Sequence, residues 1–164
     1  MVEIFKENLY KSSEWKASIE EGAMYEEHIE ALFKQKGIDI GLYKDRMQYE
    51  GESQIGLEIK YDKLFRQTGN LYIEYAEKQP SAKDWVDSGI HKKDNSKYWL
   101  IGDTKLYFIF RKGDLLKLDK KNFKRAVTNT SKGILLPLSF AVDIRLHIDD
   151  FIKELKGEAD EMYI

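Results

Sequence analysis

The chain has 164 residues, of which 42% are hydrophobic and 34% are charged, a composition that suits one soluble domain with a buried core. It contains no cysteine, which excludes disulfide bonds and thiolate zinc sites. Its 27 basic and 29 acidic residues give a net charge of −2, so binding to nucleic acid would have to depend on a local basic patch. The absence of a long apolar run or a signal-peptide pattern leads us to expect a cytoplasmic protein that does not contact a membrane.

Two helices are predicted at the start of the chain. The first covers residues 3–20, and the second runs from about Ala23 to Lys36. Gly37 follows the second helix and is a residue type that commonly ends helices. The apolar residues of the second helix recur at the spacing of one buried face and are Tyr25, Ile29, Leu32 and Phe33.

Three strands are predicted next, at residues 37–43, 54–62 and 71–76. In each of them apolar and polar residues alternate, which is typical of a half-buried strand. The tripeptide at 68–70, Thr-Gly-Asn, predicts a turn before the third strand, with a contact to a phosphate as the alternative.

The second half of the chain contains shorter elements. Residues 98–110 predict two strands that turn at Gly102–Asp103, and a helical turn is expected around Asp84–Val86. The lysine-rich stretch 117–127 predicts the start of a helix, and residues 133–138 predict a strand that ends at Pro137. A last helix is expected from about Ser139 or Asp143 to Lys156. No linker divides the chain, so residues 1–164 are expected to form one α/β or α+β domain.

A row of charges in the second predicted strand allows two explanations. Glu58, Lys60 and Asp62 alternate with apolar residues and therefore project from one face. This face is either the solvated side of a strand or a chemical site. Asp39, on the polar face of the preceding strand, adds a carboxylate that a divalent cation would bring into coordination with Glu58. Mg²⁺ prefers such oxygen ligands, and Lys60 would then orient a water molecule or stabilise charge on a phosphate.

The arrangement of Asp39, Glu58 and Lys60 resembles the active site of the PD-(D/E)xK nuclease superfamily, although no proline precedes Asp39. The stretches "QKGIDI", "EIKYD" and "TGNLYIE" are also similar to small nuclease-like proteins of phages and mobile elements. The resemblance implies a restriction-endonuclease-like core, in which helices flank a central mixed sheet. It further implies hydrolysis of DNA with Mg²⁺, for which Mn²⁺ can substitute. Asp39 and Glu58 would bind the metal, and Lys60 would position the attacking hydroxide.

Further acidic residues are candidates for the same site. In the superfamily an acidic residue commonly lies on the helix before these strands, and here Glu26 borders the apolar stripe and would assist with the metal. Glu30 is the next choice, whereas Glu27 lies further round the helix. Glu74 is either an additional ligand or an exposed cross-strand partner of Lys60, and for Asp62 we favour a role at the strand end or in a turn.

Two groups of basic residues are candidate contacts to the DNA backbone, with a solvated surface as the simpler explanation. They are Lys92, Lys93 and Lys97, and Lys120, Lys121, Lys124 and Arg125. Related nucleases often act as dimers, so the resemblance allows a homodimer. Two other functions stay open from the sequence: a module that binds nucleic acid on the same fold without cleaving it, and a small protein-interaction domain.

Overall fold

A computed structural model describes residues 2–41 and 55–161, and within them the side chains of residues 17–41 and 55–157. Of the predicted strand 37–43, residues 42 and 43 lie outside the described residues. In the part of the chain that is described, no helix has the length and apolar character needed to cross a membrane.

The first element is one long helix, α1 (Val2–Gln35), where the sequence predicted two. The predicted break near Gly22 is wrong, because one glycine costs a helix only about 1 kcal/mol and a long helix tolerates it. The predicted end is confirmed: Gly37 has a left-handed φ of 81°, and the amide of Ile38 donates to the carbonyl of Phe33. This hydrogen bond is the signature of a Schellman motif, which satisfies carbonyls at the helix end.

A mixed sheet of three strands packs against α1. Its order is β1 (Leu57–Tyr61), β4 (Tyr98–Gly102) and β5 (Tyr107–Arg111). Strand β1 pairs with β4 in parallel, whereas β4 and β5 form the antiparallel pair predicted from the sequence. All five residues of β4 are buried, as expected for a central strand covered on both faces.

A second sheet has four antiparallel strands. Its order is β3 (Val86–Asp87), β2 (Asn70–Glu77), β7 (Ser131–Pro137) and β6 (Arg125–Val127). Strands β2 and β7 correspond to the predicted strands, and β7 ends at Pro137 as expected. The helical turn predicted at Asp84–Val86 is wrong, because Val86 instead pairs with Glu77 at the edge of this sheet.

The remaining helices are short, apart from the last one. A single turn, α2 (Phe65–Thr68), follows β1; α3 (Lys112–Leu116) follows β5; and a 3₁₀ helix (Lys117–Lys120) follows α3. The helix predicted at 117–127 is therefore wrong, since helical structure ends at Lys120 and the chain continues into β6.

The predicted C-terminal helix is divided into α4 (Leu138–Ile144) and α5 (Ile148–Glu161). Between the two helices, the amide of Leu146 donates to the carbonyl of Ile109 on β5. This bond requires an extended backbone, which interrupts the helix at that point.

Two hydrophobic clusters form the core, one on each side of β4. Trp99 and Ile101 belong to the cluster that the four-stranded sheet covers. Tyr98 and Leu100 belong to the other cluster, which α1 and α5 cover. The α+β class predicted from the sequence is confirmed, with the strands divided between two sheets where one central sheet was expected.

Candidate active site

The register of β1 against β4 decides which side chains share a face. Glu58 aligns with Trp99 and Lys60 aligns with Ile101. Aligned residues of paired strands project from the same face of a sheet. Glu58 and Lys60 therefore lie on the Trp99 side, while Leu57 and Ile59 pack beneath α1 in the other cluster.

Glu58 and Lys60 form an ion pair, with 3.1 Å between Lys60 Nζ and Glu58 Oε1. Glu58 is only 7% exposed, whereas the Lys60 side chain is 42% exposed. The solvated strand face that the sequence allowed is therefore wrong at Glu58, because a carboxylate in contact with water would not be covered in this way. The ammonium group of Lys60 also lies 5.6 Å from the centre of the Trp99 ring.

The two charges of the pair respond differently to burial. Burial raises the pKa of the Glu58 carboxyl, and the adjacent Lys60 ammonium only partly opposes this effect. For Lys60, burial acts to lower the pKa, but the charge and hydrogen bond of Glu58, with smaller effects from Glu74 and Glu26, leave that pKa raised. Lys60 therefore stays protonated at neutral pH.

Helix α1 contributes one of the acidic residues whose charge acts on Lys60, namely Glu26. Glu26 is half-buried and lines a polar cavity of about 490 Å³ together with Ile59, Lys60 and Glu77. Glu27 is exposed. The Oε1 atom of Glu30 lies 3.6 Å from Nζ of Lys34, one turn along the helix. Of these three acidic residues, Glu26 is the one that lines a cavity with Lys60.

Asp39 is not part of a strand. For the described residues, the predicted hairpin between a strand containing Asp39 and the strand containing Glu58 is therefore wrong. Ile38 to Gly41 have no regular secondary structure, and β1 has its described strand partner in β4. The exposed Asp39 carboxylate accepts a hydrogen bond from the amide of Gly41 at 3.0 Å. Such a bond stabilises a local turn, and it takes the place of the strand that the alternating pattern predicted.

Asp62 has the turn role that the sequence favoured. Its Oδ1 atom accepts hydrogen bonds from the amides of Leu64 and Phe65, and its Oδ2 atom accepts one from the amide of Tyr72. The carboxylate thus joins the end of β1 to α2 and to β2. Gly69, with a φ of 73°, ends α2 before β2, so the turn predicted at 68–70 is confirmed.

Glu74 lies on β2 in the other sheet, so it is not the cross-strand partner of Lys60 within one sheet. Its Oε1 atom accepts a hydrogen bond from the Ser131 hydroxyl at 2.8 Å. Its charge nevertheless acts on Lys60, as the raised pKa of Lys60 shows. The Lys60 ammonium thus contacts Glu58 of β1, and the charges of Glu26 on α1 and Glu74 on β2 also act on it.

The two basic groups differ in their relation to this site. Lys92, Lys93 and Lys97 are exposed in the segment before β4, and the charge of Lys92 acts on Glu58. In the second group, Lys120, Lys121 and Lys124 are also exposed. Arg125 instead packs over the Tyr75 ring, 5.2 Å from its centre, and its Nη2 atom donates to the carbonyl of Asp119. Of the first group, Lys92 is therefore the residue whose charge reaches the Glu58–Lys60 pair.

A second ion pair, which no sequence pattern predicted, also acts on Glu58. Lys112 Nζ lies 3.0 Å from Asp94 Oδ1, and both side chains are largely buried. Asp94 also accepts hydrogen bonds from Ser96, and its charge acts on Glu58. The Asp-x-Ser spacing predicts a local turn, but the pairing with Lys112 depends on the antiparallel packing of β5 beside β4.

The predicted metal ligands are not grouped as a complete site. Among residues 17–41 and 55–157, no three Asp, Glu or His side chains are grouped so that they could hold a metal ion. Glu58 and Glu26 are carboxylates whose charges both act on Lys60. Carboxylate oxygens are hard donors, and Mg²⁺ commonly binds proteins through one or two of them and keeps several waters.

Comparison with known proteins gives one partial similarity. No protein-family model and no solved structure matches the chain. The chain is similar to a DNA primase of Thermotoga maritima, with 37% identity over 79 residues. The aligned stretch covers 48% of this chain and only 13% of the primase, so the chain spans a small part of that relative.

Proposed function

We propose that this protein acts on DNA as a Mg²⁺-dependent nuclease whose chemical centre is the Glu58–Lys60 pair. The observation that carries the proposal is the buried Glu58 carboxylate 3.1 Å from Lys60, with further acidic charges on α1 and β2 acting on the same lysine. A glutamate is rarely buried unless its charge is paired, and here the paired lysine is still partly exposed to a substrate. The partial similarity to a DNA primase supports DNA as the substrate class.

Lys60 would act as a fixed positive charge and hydrogen-bond donor. Its raised pKa keeps it protonated at neutral pH, so it is unsuited to remove a proton from water. Glu58 holds one side of the ammonium, and the 42% exposed lysine side chain can present another N–H to a phosphate oxygen. A donor positioned in this way stabilises the negative charge that develops when water attacks the phosphorus.

Glu58 and Glu26 would hold the metal ion, and Asp39 is the further candidate from the resemblance. When bound, Mg²⁺ would supply a Lewis acid and lower the pKa of a coordinated water. Lys92, Lys93 and Lys97 would contact phosphates of the same strand, since all three are exposed and the charge of Lys92 acts on Glu58.

The test is a cleavage assay on single-stranded, duplex and branched DNA with Mg²⁺ or Mn²⁺. Wild type should cleave at least one of these substrates, and Glu58→Gln should lose about 10²-fold or more of the activity, since its amide cannot replace a charged carboxylate. Lys105→Ala is the matched control, because Lys105 is exposed in the β4–β5 turn, and it should cleave like wild type.

Metal binding, measured by calorimetry on the same proteins, separates the alternatives. Mg²⁺ or Mn²⁺ binding that is lost in Asp39→Ala or Glu58→Gln supports the enzyme. DNA binding without metal binding and without cleavage would contradict the nuclease and favour a DNA-binding module. The absence of both kinds of binding would favour a protein-interaction domain.

A further inference from the structure

A second cavity lies beside the Glu58–Lys60 pair and has no role in the proposed hydrolysis. It has a volume of about 540 Å³, which is within the range of small-ligand sites in proteins. Lys60, Trp99 and Ile101 of the three-stranded sheet form part of its wall, and the rest comes from β2, β6, β7 and residues 61–68. Lys60 also lines the polar cavity beside α1, as do Tyr61 and Lys63, so the two cavities are neighbours.

One face of the four-stranded sheet provides the part of the wall that β2, β6 and β7 contribute. In the register of this sheet, Tyr72 aligns with Leu135, and both Glu74 and Ala126 align with Gly133. These residues therefore share one face, and the alternate residues of β2 and β7 are buried in the core on the other. The small side chain of Ala126 leaves part of the space that the cavity occupies, whereas the space over Gly133 is filled by the Tyr72 ring.

The Tyr72 ring is held in place at the cavity wall. A Cβ atom at Gly133 would lie 2.3 Å from this ring, which means that the ring lies directly over the glycine. The Tyr72 hydroxyl is hydrogen-bonded to the Ser131 hydroxyl, which in turn donates to Glu74. The ring is thus fixed by packing on one side and by a hydrogen-bonded chain at its end.

The chemistry of the wall matches a planar aromatic ligand that has polar edges. Three aromatic side chains, Tyr61, Tyr72 and Trp99, contribute to an otherwise mostly apolar lining. The indole Nε1 of Trp99 is buried and has no hydrogen-bond partner among the described residues, which leaves a donor unused. Lys60 and Lys63, which are paired with Glu58 and Glu21, add positive charge for an attached phosphate. The carboxylates of Asp62 and Glu74 also line the cavity, and both accept hydrogen bonds from the protein.

We propose that this cavity binds one unstacked nucleobase of a single DNA strand whose backbone passes Lys60. The inference rests on the proposed action on DNA and deepens it, because a base held here would place its phosphate next to the Glu58–Lys60 pair. Base stacking on aromatic side chains is tolerant of sequence but requires that the base is unpaired. The protein should therefore prefer single strands, frayed ends or branch points over continuous duplex.

The test compares binding of two labelled single-stranded oligonucleotides by fluorescence anisotropy, in EDTA so that no cleavage occurs. One carries normal bases, and the other has the same length and charge but only abasic positions. Wild type should bind the normal strand about tenfold or more tightly, since one stacked base contributes on this scale. Equal affinity for the two strands would overturn the proposal.

A variant that fills the cavity is compared with a matched control that adds the same ring outside it. Ala126→Phe should reduce affinity for the normal strand to that for the abasic strand, because the new ring occupies the space beside Tyr72. Val127→Phe adds a ring at the next residue, which is exposed and outside the cavity wall, and should bind like wild type. Circular dichroism would establish that both variants are folded, and Leu135→Phe offers a second way to fill the space should Ala126→Phe unfold.

The outcomes separate this inference from the nuclease proposal. Cleavage of DNA by wild type, together with equal affinity for normal and abasic strands, would overturn the base-binding cavity and leave the nuclease intact. A second outcome is that wild type prefers the normal strand, that Ala126→Phe loses this preference, and that no metal supports cleavage. This outcome would support the cavity and contradict the nuclease. Wild-type affinity in a folded Ala126→Phe variant would overturn the cavity.

Discussion

At the scale of single residues, the ionisation of Glu58 should make the stability of the fold depend on pH. Burial raises the pKa of this carboxyl above its ordinary value of 4.5, so the folded state binds a proton more tightly than the unfolded state. The free energy of unfolding should therefore fall as the pH rises from about 4.5 through the folded pKa. Glu58→Gln has no such proton, so the wild type should lose stability relative to this variant across that range.

Urea unfolding of both proteins at several pH values measures this difference. The quantity to follow is how the difference in unfolding free energy between wild type and Glu58→Gln changes with pH. The substitution also alters the contact with Lys60, but that effect does not depend on the titration of Glu58. A difference that stays constant from pH 4 to neutrality would show that Glu58 titrates alike in the folded and unfolded chain.

Lys60 is the residue whose replacement distinguishes catalysis from structure. Lys60→Ala should reduce DNA cleavage by about 10²-fold or more, the effect of losing a positioned charge at the reacting phosphate. The same change also removes the ammonium that opposes the raised pKa of Glu58, so a protonated Glu58 would lower activity as well. The two causes separate in a pH–rate profile.

A direct role of Lys60 predicts that the activity of Lys60→Ala stays low when the pH is raised. Recovery of activity at alkaline pH would instead mean that the lysine acts only by keeping Glu58 ionised. Cleavage at the wild-type rate at all pH values would show that the lysine has no part in the reaction.

At the scale of elements, the turn between β4 and β5 depends on Asp103. The side-chain hydrogen bond from Arg66 lowers the pKa of this carboxyl to about 2, with help from the amides of Leu106 and Lys105. A lowered folded pKa adds stability that is present above the unfolded value of 3.8 and is lost as the pH falls toward 2. Asp103→Asn should therefore be less stable than wild type at neutral pH, and the difference should shrink in acid.

Thermal unfolding of wild type and Asp103→Asn from neutral pH to about pH 2 tests this expectation. Asp84→Asn removes an exposed carboxylate elsewhere and is the matched control. A stability gap for Asp103→Asn that is as wide at pH 2 as at neutrality would argue that the carboxylate charge contributes nothing to the turn.

A 3₁₀ turn at Gly89–His91, which follows β3, depends on a close backbone approach at Gly89. This residue has a φ of 52°, and a Cβ atom there would lie 1.9 Å from the Glu74 carbonyl oxygen of β2. Gly89→Ala should therefore cost about 3 kcal/mol or more of unfolding free energy, because the clash is with backbone and the conformation is strained for alanine. Gly113→Ala, which meets open space on α3, should change stability by at most about 1 kcal/mol in denaturant unfolding.

Predictions of elements from the sequence were accurate where a local pattern decides the structure. The strand pair around Gly102–Asp103, the strand that ends at Pro137 and the stop at Gly37 all follow from alternation or from a breaker residue. The errors lie where packing or a local hydrogen bond outweighs the pattern. Gly22 did not break α1, and Asp39 is in a turn although its neighbours alternate.

The candidate site was predictable in its residue types but not in its environment. The spacing of Glu58 and Lys60 indicated their common face, and the apolar stripe of α1 indicated the side on which Glu26 lies. Burial of Glu58 and the charge of Glu74 on Lys60 depend on a second sheet that packs near the first. Such contacts join residues that are distant in the chain, so no local sequence pattern predicts them.

At the scale of the whole molecule, β4 connects the two hydrophobic clusters. Trp99 packs in one cluster and Leu100, the next residue, packs in the other. A perturbation of either cluster is therefore transmitted to the same strand. This arrangement predicts that the described chain unfolds as one cooperative domain, although its strands form two sheets.

Leu100→Ala tests this cooperativity in a background of Trp15→Phe and Trp85→Phe, in which Trp99 is the one tryptophan of the chain. Leu100 is fully buried, so its truncation should lower the free energy of unfolding by about 2 to 5 kcal/mol. Because the two clusters share β4, the Trp99 fluorescence of the opposite cluster should report the same reduced midpoint as the circular dichroism of the helices. Val142→Ala, at a residue that is 47% exposed, should leave both midpoints nearly unchanged. A fluorescence midpoint that stays at the value of the parent while the helical signal is lost earlier would mean that the two clusters unfold separately.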